Sequence, residues 1–143
     1  MLITAIKQTS PGRLTVTLED EREIKTTLGV VTDLRLFSGR ELGAGALEEL
    51  ERESRRALTR EKALEYLSRR AMSRKELEKK LTDKGYDEED AAYCAAWLAE
   101  RGLIDDAGYA AAVARHYSAK GYGPGRIRSE LSRRGIDRDM WDE

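Results

Sequence analysis

The 143-residue sequence contains one cysteine, Cys94, and one histidine, His116. A single cysteine excludes an intrachain disulfide and a zinc site built on paired cysteines. No apolar run approaches the roughly 20 residues of a membrane-spanning helix, and the first residues lack the apolar core and cleavage site of a secretory signal. These absences predict a soluble, cytoplasmic protein without membrane association.

The chain also lacks an excess of charge of one sign. It has 26 basic and 27 acidic side chains, so the net charge is −1 and the global basic signature of a nucleic-acid-binding protein is missing. Charged residues nevertheless make up 37% of the sequence and hydrophobic residues 40%. That balance favours long charged helices around one modest core, and attraction to phosphate would require local segregation of charge.

The first forty residues have the alternation of β-strands. Residues 14–18 and 24–28 alternate apolar and polar side chains, which is the pattern of half-buried strands. Residues 2–7 are a weaker candidate, closed by the turn signal Ser10-Pro11-Gly12. The sequence therefore predicts a small antiparallel β-meander within an N-terminal segment, residues 1–43.

From about residue 44 the hydrophobic period becomes that of helices. Residues 46–57 predict a charged helix with a thin apolar edge, so residues 44–58 are interpreted as a connecting helix. A separate helix is predicted over residues 59–70. Strand patterns do not recur after this point.

Helix ends are marked four times by a basic residue, a glycine and an apolar residue. The cation meets the negative end of the helix dipole, the glycine takes the left-handed cap, and the apolar residue folds back on the last turn. The triplets are Lys84-Gly85-Tyr86, Arg101-Gly102-Leu103, Lys120-Gly121-Tyr122 and Arg134-Gly135-Ile136. Helix starts follow at Asp87, Asp105, Gly123-Pro124 and Asp137, and Ser73-Arg74-Lys75-Glu76 is a capping box. These signals predict helices over residues 73–84, 87–101, 105–119 and 124–134.

A shift of fifty residues superimposes two helical units without a gap. Core, cap and stop positions coincide in the pairs Leu77 and Ile127, Leu81 and Leu131, Gly85 and Gly135, and Asp87 and Asp137. This predicts tandem three-helix repeats, the first over residues 59–104 and the second over residues 105–143, truncated in its last helix. The handedness of the solenoid stays open. Because Ile127 and Trp141 would be poorly covered, we expect a shortened form or an end that pairs with something else.

The helical motifs resemble those of the RecX family of recombinase regulators. The segment ALEYLSRRAMSRKEL at residues 63–77, followed by LTDKGY at 81–86, is similar to the first helix pair of that family. GLIDD at residues 102–106, KGYGPGRI at 120–127 and RRGI at 133–136 follow in family order and at family spacing. The resemblance covers about residues 59–141.

This resemblance implies a regulator that binds the recombinase RecA in the groove of its filament on DNA. It implies modulation, expected here to be inhibition, of filament assembly and of ATPase and recombination activity, without catalytic residues or a cofactor. Family members usually have three three-helix repeats, whereas the third is absent here and the second is incomplete. The N-terminal strands resemble an extension found only in some members.

Some basic side chains are explained neither by the ends of helices nor by ion pairs within a helix. These side chains are the candidates for the partner contact. A filament on DNA would offer them phosphate and acidic protein surface. We call these eight residues the predicted basic strip. They are Arg70, Arg74, Lys75, Lys79, Arg115, Arg126, Arg128 and Arg133.

The residues that could suggest an enzyme have structural interpretations. Cys94 lies mid-helix among alanines, as a small buried residue does, and His116 is equivalent to Tyr66 in the first repeat, which suggests helix packing. Asp105-Asp106 stands where the next helix needs a cap, so capping is favoured over metal binding. We therefore predict no catalytic residue, no metal and no cofactor.

Three hypotheses remain open at the level of sequence. The leading one is a regulator of RecA filaments, which would also place the chain near single- or double-stranded DNA. The alternative is an autonomous DNA-binding helical module, against which residues 59–143 carry 17 basic and 17 acidic side chains. An enzyme would instead lose turnover when Cys94 or His116 is replaced. The oligomeric state stays undetermined.

Overall fold

The chain forms two compact units, Met1–Glu61 and Lys62–Glu143, in a computed structural model that describes residues 1–141. Its strands are β1 (Ile3–Ser10), β2 (Arg13–Leu18) and β3 (Glu23–Thr27). Its helices are α1 (Leu28–Asp33), α2 (Ala44–Arg69), α3 (Arg74–Asp83), α4 (Glu88–Glu100), α5 (Asp106–Ala119) and α6 (Pro124–Arg133), followed by a 3-10 turn, Arg138–Met140. Residues 142 and 143, the end of the predicted second repeat, lie outside the described residues. The prediction of a mainly helical chain with a small N-terminal sheet is confirmed.

The sheet is the predicted antiparallel meander, with strand order β1-β2-β3. Strand β1 runs further than the predicted residues 2–7, because pairing with β2 continues to the turn at Pro11-Gly12. Ile3, Val16 and Leu18 point inward and are at most 1% exposed. They share a core with Leu50 of α2, so the sheet obtains the helical cover that three strands need.

The strand predicted over residues 24–28 ends one residue early, and a short helix that the sequence did not predict follows it. Thr27 is the N-cap of α1, and its Oγ1 accepts a hydrogen bond from the Val30 backbone N at 3.3 Å. Leu28, the last residue of the alternating pattern, is exposed. The capping bond at Thr27 therefore overrides the strand pattern at this point.

The predicted division into a connecting helix, residues 44–58, and a separate helix from residue 59 is wrong. Both segments belong to the single 26-residue helix α2. No glycine or proline interrupts residues 46–69, and the Thr59 hydroxyl donates to the Arg55 carbonyl oxygen at 2.7 Å, one turn earlier. The Thr59 side chain is therefore accommodated inside α2 and does not mark a helix boundary.

The predicted helix boundaries of the second unit are otherwise confirmed by their caps. Ser73 forms a capping box with Glu76, and Asp87 and Asp105 cap α4 and α5. The glycines of the four basic–glycine–apolar triplets all have positive φ, between 73° and 98°, as left-handed caps require. The helix expected at Asp137 is only the 3-10 turn within the described residues.

Each helical repeat has its own apolar core. The first is built around Ala63, Leu77 and Leu81, which are fully buried beneath α4. The second consists of Ala110, Val113, Leu131 and Ile136, with Ile127 and Trp141 partly buried against them. Leu81 and Leu131 stand fifty residues apart and occupy corresponding cores, as the sequence shift predicts.

Candidate partner-binding surface

Ser73 links the start of α3 in the first repeat to the end of α6 in the second. Its Oγ accepts from the Glu76 backbone N at 3.0 Å and donates to the Arg134 carbonyl oxygen at 2.5 Å. Lys75 Nζ lies 3.3 Å from Asp137 Oδ1. We call this contact, formed by Ser73, Lys75, Arg134, Gly135 and Asp137, the repeat junction. It fixes the two repeats against each other.

Glu130 and Tyr109 hold Arg134 in place beside the repeat junction. Arg134 donates to Tyr109 Oη and to Glu130 Oε1, each at 2.7 Å, and Glu130 also pairs with Arg133. Hydrogen bonds from Arg133 and then Arg134 lower the pKa of Glu130 to about 2. Burial opposes the charge of Arg134, but its hydrogen bonds to Glu130 and Tyr109 raise its pKa above the usual value. Glu130 and Arg134 are therefore both charged across the ordinary pH range.

Five members of the predicted basic strip have a carboxylate partner, which balances their charge locally. Arg133 pairs with Glu130 as described. The other four pairs are Arg70 with Glu76 at 3.6 Å, Arg74 with Glu78 at 3.8 Å, Lys75 with Asp137 at 3.3 Å and Lys79 with Asp83 at 2.8 Å. Lys75 belongs to the repeat junction, so its role is at least partly structural. No single surface containing all eight residues is established by these contacts.

The other three members, Arg115, Arg126 and Arg128, have no carboxylate within 4.0 Å among residues 1–141. All three lie on α5 or α6. The Arg126 guanidinium instead stacks over the Tyr122 ring, 4.2 Å from its centre. Residues 107–134 contain six basic side chains and one acidic side chain, Glu130. Residues 107–134, which include most of α5 and all of α6, thus carry an excess of positive charge although the whole chain is nearly neutral.

A groove of about 820 Å³ lies along these same helices. We call it the α5–α6 groove. Its apolar lining comes from Ala114, Tyr122, Pro124, Ile127, Leu131 and Trp141. Arg115, Arg128 and Arg138 line it as well, and Arg138 likewise has no carboxylate within 4.0 Å in the described part of the chain. An apolar floor with a cationic edge suits an amphipathic partner.

Sequence reasoning missed Arg138 and the groove itself. Arg138 directly follows the predicted helix start at Asp137, and the sequence pattern assigns this segment only to the start of a helix. The signal that could have found it is the fifty-residue shift, because Arg115, Arg128 and Arg138 all fall on glutamates of the first repeat. The apolar lining was partly anticipated, since Ile127 and Trp141 were expected to be poorly covered.

The residues considered for catalysis or metal binding have structural partners. Cys94 is fully buried, as predicted, whereas His116 is exposed and does not pack as its equivalence to Tyr66 suggested. Asp105 Oδ1 accepts from the Gly108 backbone N at 3.0 Å, and Asp106 Oδ1 accepts from the Arg74 backbone N at 2.9 Å. Within residues 1–141 no three histidine, cysteine or acidic side chains are placed to hold a metal ion. In the same residues, no helix has both the length and the apolar content needed to cross a membrane.

The arrangement of helices corresponds to two known domains. Residues 60–98 match the first three-helix domain of RecX, and residues 105–143 match the second. Together the matches account for more than half of the chain. The chain belongs to the RecX family. This confirms the predicted family and the tandem three-helix domains.

Individual RecX proteins show the same similarity. The regulatory protein RecX of Pseudomonas entomophila (strain L48) is 42% identical over 84 residues, covering 59% of this chain and 54% of its own length. That of Xanthomonas campestris pv. campestris (strain B100) is 43% identical over 79 residues, covering 55% and 49%. This chain spans about half the length of the curated relatives it matches.

Solved RecX structures extend the similarity to the N-terminal unit. A crystal structure described as regulatory protein RecX superimposes with a TM-score of 0.79 at 28% identity, covering 97% of this chain and 70% of that one. RecX from Lactobacillus salivarius gives a TM-score of 0.56 at 31% identity, covering 60% and 56%. The first similarity therefore includes the β-sheet of this chain.

Proposed function

We propose that this chain binds RecA filaments on DNA and slows their assembly, with lower ATP hydrolysis and recombination as the result. The supporting observation is that both helical units match RecX domains in their family order. Such a regulator would act in the cytoplasm, in DNA repair, in recombination and in the response to DNA damage. It would work by occupying a surface, without a catalytic residue or a cofactor.

The local charge distribution supports contact with a nucleoprotein filament. A filament presents phosphate oxygens and acidic protein side chains, which attract clustered cations and accelerate encounter. The second repeat supplies such a cluster in Arg115, Arg126 and Arg128, whose charges lack carboxylate partners among residues 1–141. Lys79 on α3 is a further candidate, because its side chain is 75% exposed.

The direct test is RecA assembly on single-stranded DNA with the full 143-residue chain added. We expect slower filament extension and lower ATP hydrolysis, measured by single-molecule imaging and by phosphate release. No change in either rate at several-fold molar excess over RecA would contradict the proposal.

A paired charge reversal tests the contact surface. Lys79→Glu with Arg126→Glu should raise the concentration required for half-maximal inhibition by about tenfold, since each reversal removes one attraction and adds one repulsion. We choose Lys79 because its pair with Asp83 is an exposed contact within α3, whereas reversal at Lys75 would break the Lys75–Asp137 contact of the repeat junction.

The matched control is Lys7→Glu with Lys25→Glu, which makes the same change of charge on exposed positions of β1 and β3. It should inhibit as the unmodified chain does. If both double variants retain their helical content and inhibit equally, the predicted basic strip does not contact the filament.

An autonomous DNA-binding module remains the alternative, and salt dependence separates the two. A module of that kind would bind bare single strands with submicromolar affinity and a steep decrease as salt rises. The filament regulator predicts weak binding to bare strands and stronger binding once RecA is present.

A further inference from the structure

Strand β3 forms an unpaired edge of the N-terminal sheet. In the order β1-β2-β3 it has a partner strand on one side only. Leu18 N donates to Arg22 O at 2.9 Å, so the backbone of Arg22 faces β2. Because successive residues of an antiparallel pair face alternate sides, the N–H and C=O groups of Glu23 and Lys25 point away from β2. Within residues 1–141 these four groups have no backbone partner.

A groove of about 420 Å³ lies beside this edge, between β3 and α2. We call it the β3–α2 groove. Ile24 and Leu58 provide its apolar floor, and Glu51 and Arg55 of α2 line it as well. Ile24 and Leu58 are only half-buried, so both retain apolar surface that a further strand could cover. An open strand edge beside such a groove is the arrangement that binds extended peptides.

The side chains of the edge carry opposite charges on one face of the sheet. Glu23 and Lys25 lie two residues apart on β3, and both are exposed. Neither has an oppositely charged group within 4.0 Å in the part of the chain that the structure describes. Charged edge strands oppose pairing with strands that place the same charge opposite them. This edge therefore selects a strand with a cation opposite Glu23 and an anion opposite Lys25.

We propose that β3 pairs with an extended segment of a partner protein, which lies along the β3–α2 groove as an antiparallel fourth strand. The segment reads acidic, apolar, basic. Its acidic and basic residues exchange backbone hydrogen bonds with Lys25 and Glu23, and its apolar side chain packs on Ile24 and Leu58. The main-chain bonds provide affinity, and the alternating side chains provide selectivity.

A second copy of this chain does not fit the edge. The Ser54 hydroxyl of α2 donates to Thr26 Oγ1 of β3 at 2.8 Å, so α2 lies directly against this strand. Two copies paired through β3 would have both α2 helices on the same face of the joined sheet, against neighbouring strands. Those strands would be about 4.8 Å apart, whereas packed helices require about 8–10 Å between their axes.

Nucleic acid does not fit the edge either. It has no main chain of alternating N–H donors and C=O acceptors to match β3, and its phosphates would approach the carboxylates of Glu23 and Glu51. The inference goes beyond filament binding, whose proposed contact lies on α3, α5 and α6, and it does not depend on that contact. It can be tested without recombinase.

The probes are nine-residue peptides that differ only in a central triplet, which is Glu-Val-Lys, Glu-Val-Glu or Lys-Val-Lys. Their binding to the full 143-residue chain is measured by fluorescence anisotropy. Glu-Val-Lys should bind about tenfold more tightly than the other two, because each of those places one like charge opposite the edge.

N-methylation of the peptide tests the backbone pairing without altering the protein. In the antiparallel arrangement, the N–H groups of the glutamate and the lysine point towards β3, and the N–H of the valine points away. Methylation of both charged residues should abolish binding. Methylation of the valine should leave the peptide bound.

Single charge reversals test the selectivity of the edge. Glu23→Lys should make Glu-Val-Glu the preferred peptide, and Lys25→Glu should make Lys-Val-Lys the preferred one. Lys7→Glu is the matched control, because Lys7 pairs with Thr15 on β1, away from the β3 edge. It should retain the preference for Glu-Val-Lys. Circular dichroism checks that all three variants fold.

Several outcomes would overturn the proposal. They are no binding of any peptide, equal loss of binding on either methylation, or an unchanged preference in folded Glu23→Lys and Lys25→Glu. Displacement of the Glu-Val-Lys peptide by oligothymidylate would assign the groove to nucleic acid. A dimer in sedimentation that Lys25→Glu dissociates would assign the edge to a second copy. Because RecA is absent, failure here leaves the filament proposal standing, and failure of the filament assay leaves this one standing.

Discussion

Removing the Ser73 hydroxyl tests the repeat junction, because one oxygen makes two different contacts there. In Ser73→Ala, the N-cap acceptor for the Glu76 N–H is lost, which costs about 1 kcal/mol. The carbonyl oxygen of Arg134 also loses its donor, which is the fully buried Ser73 side chain, in a part-buried contact. An unsatisfied buried acceptor costs about 1–3 kcal/mol. The free energy of unfolding should therefore decrease by about 2–4 kcal/mol.

Asp87→Ala is the matched control, because it removes a cap alone. Asp87 Oδ1 accepts from the Glu89 backbone N at 3.0 Å in an exposed position, so its loss should cost about 1 kcal/mol. Both variants are compared by guanidinium unfolding, followed by circular dichroism at 222 nm. Equal destabilisation by the two substitutions would refute the claim that Ser73 stabilises the contact between repeats.

Two further substitutions probe the same region. The pKa of Glu130, lowered from 4.5 to about 2, means that its stabilising contribution is present above pH about 4.5 and is lost as pH falls through about 2. Glu130→Gln should therefore destabilise the chain at pH 7, and its difference from the unmodified chain should shrink towards pH 2 in urea titrations. Gly135→Ala should cost about 1–3 kcal/mol more than Gly102→Ala by the same assay, because the two φ angles are nearly equal but only at Gly135 would a Cβ lie 2.7 Å from Lys75 Cβ. A pH-independent difference, or equal costs of the two alanines, would contradict the respective prediction.

Local chemistry made most helix ends of the second unit predictable. The capping box at Ser73 and the glycines that follow α3, α4, α5 and α6 act within one turn, so their signals are readable from neighbouring residues. The internal repeat was readable for a related reason. Leu81 and Leu131 fill equivalent positions in the cores of the two repeats. An apolar residue therefore recurs after fifty positions, and the shift of the sequence detects it.

Features that depend on contacts across the fold were not predictable in this way. The ion pair between Lys75 and Asp137 joins residues 62 positions apart, so Lys75 was assigned to the basic strip with no sign of its partner. The sequence pattern predicts a helix start at Thr59, because nothing in it shows that the Thr59 hydroxyl donates to the Arg55 carbonyl oxygen. The three arginines of the α5–α6 groove are far apart in the sequence. Only the positions of α5 and α6 in the fold show that they line the same groove.

The uninterrupted helix Ala44–Arg69 has a consequence for dissecting the protein. Leu50 and Ala57 are buried in the core beneath the sheet, and Ala63 and Tyr66 are buried in the core of the first repeat. All four residues belong to this one helix. A fragment starting at residue 59 would begin mid-helix, with four backbone N–H groups deprived of their acceptors. Each fragment expressed alone would have an unpaired helix end at the cut. The free energies of unfolding of the two fragments should therefore sum to less than that of the intact chain.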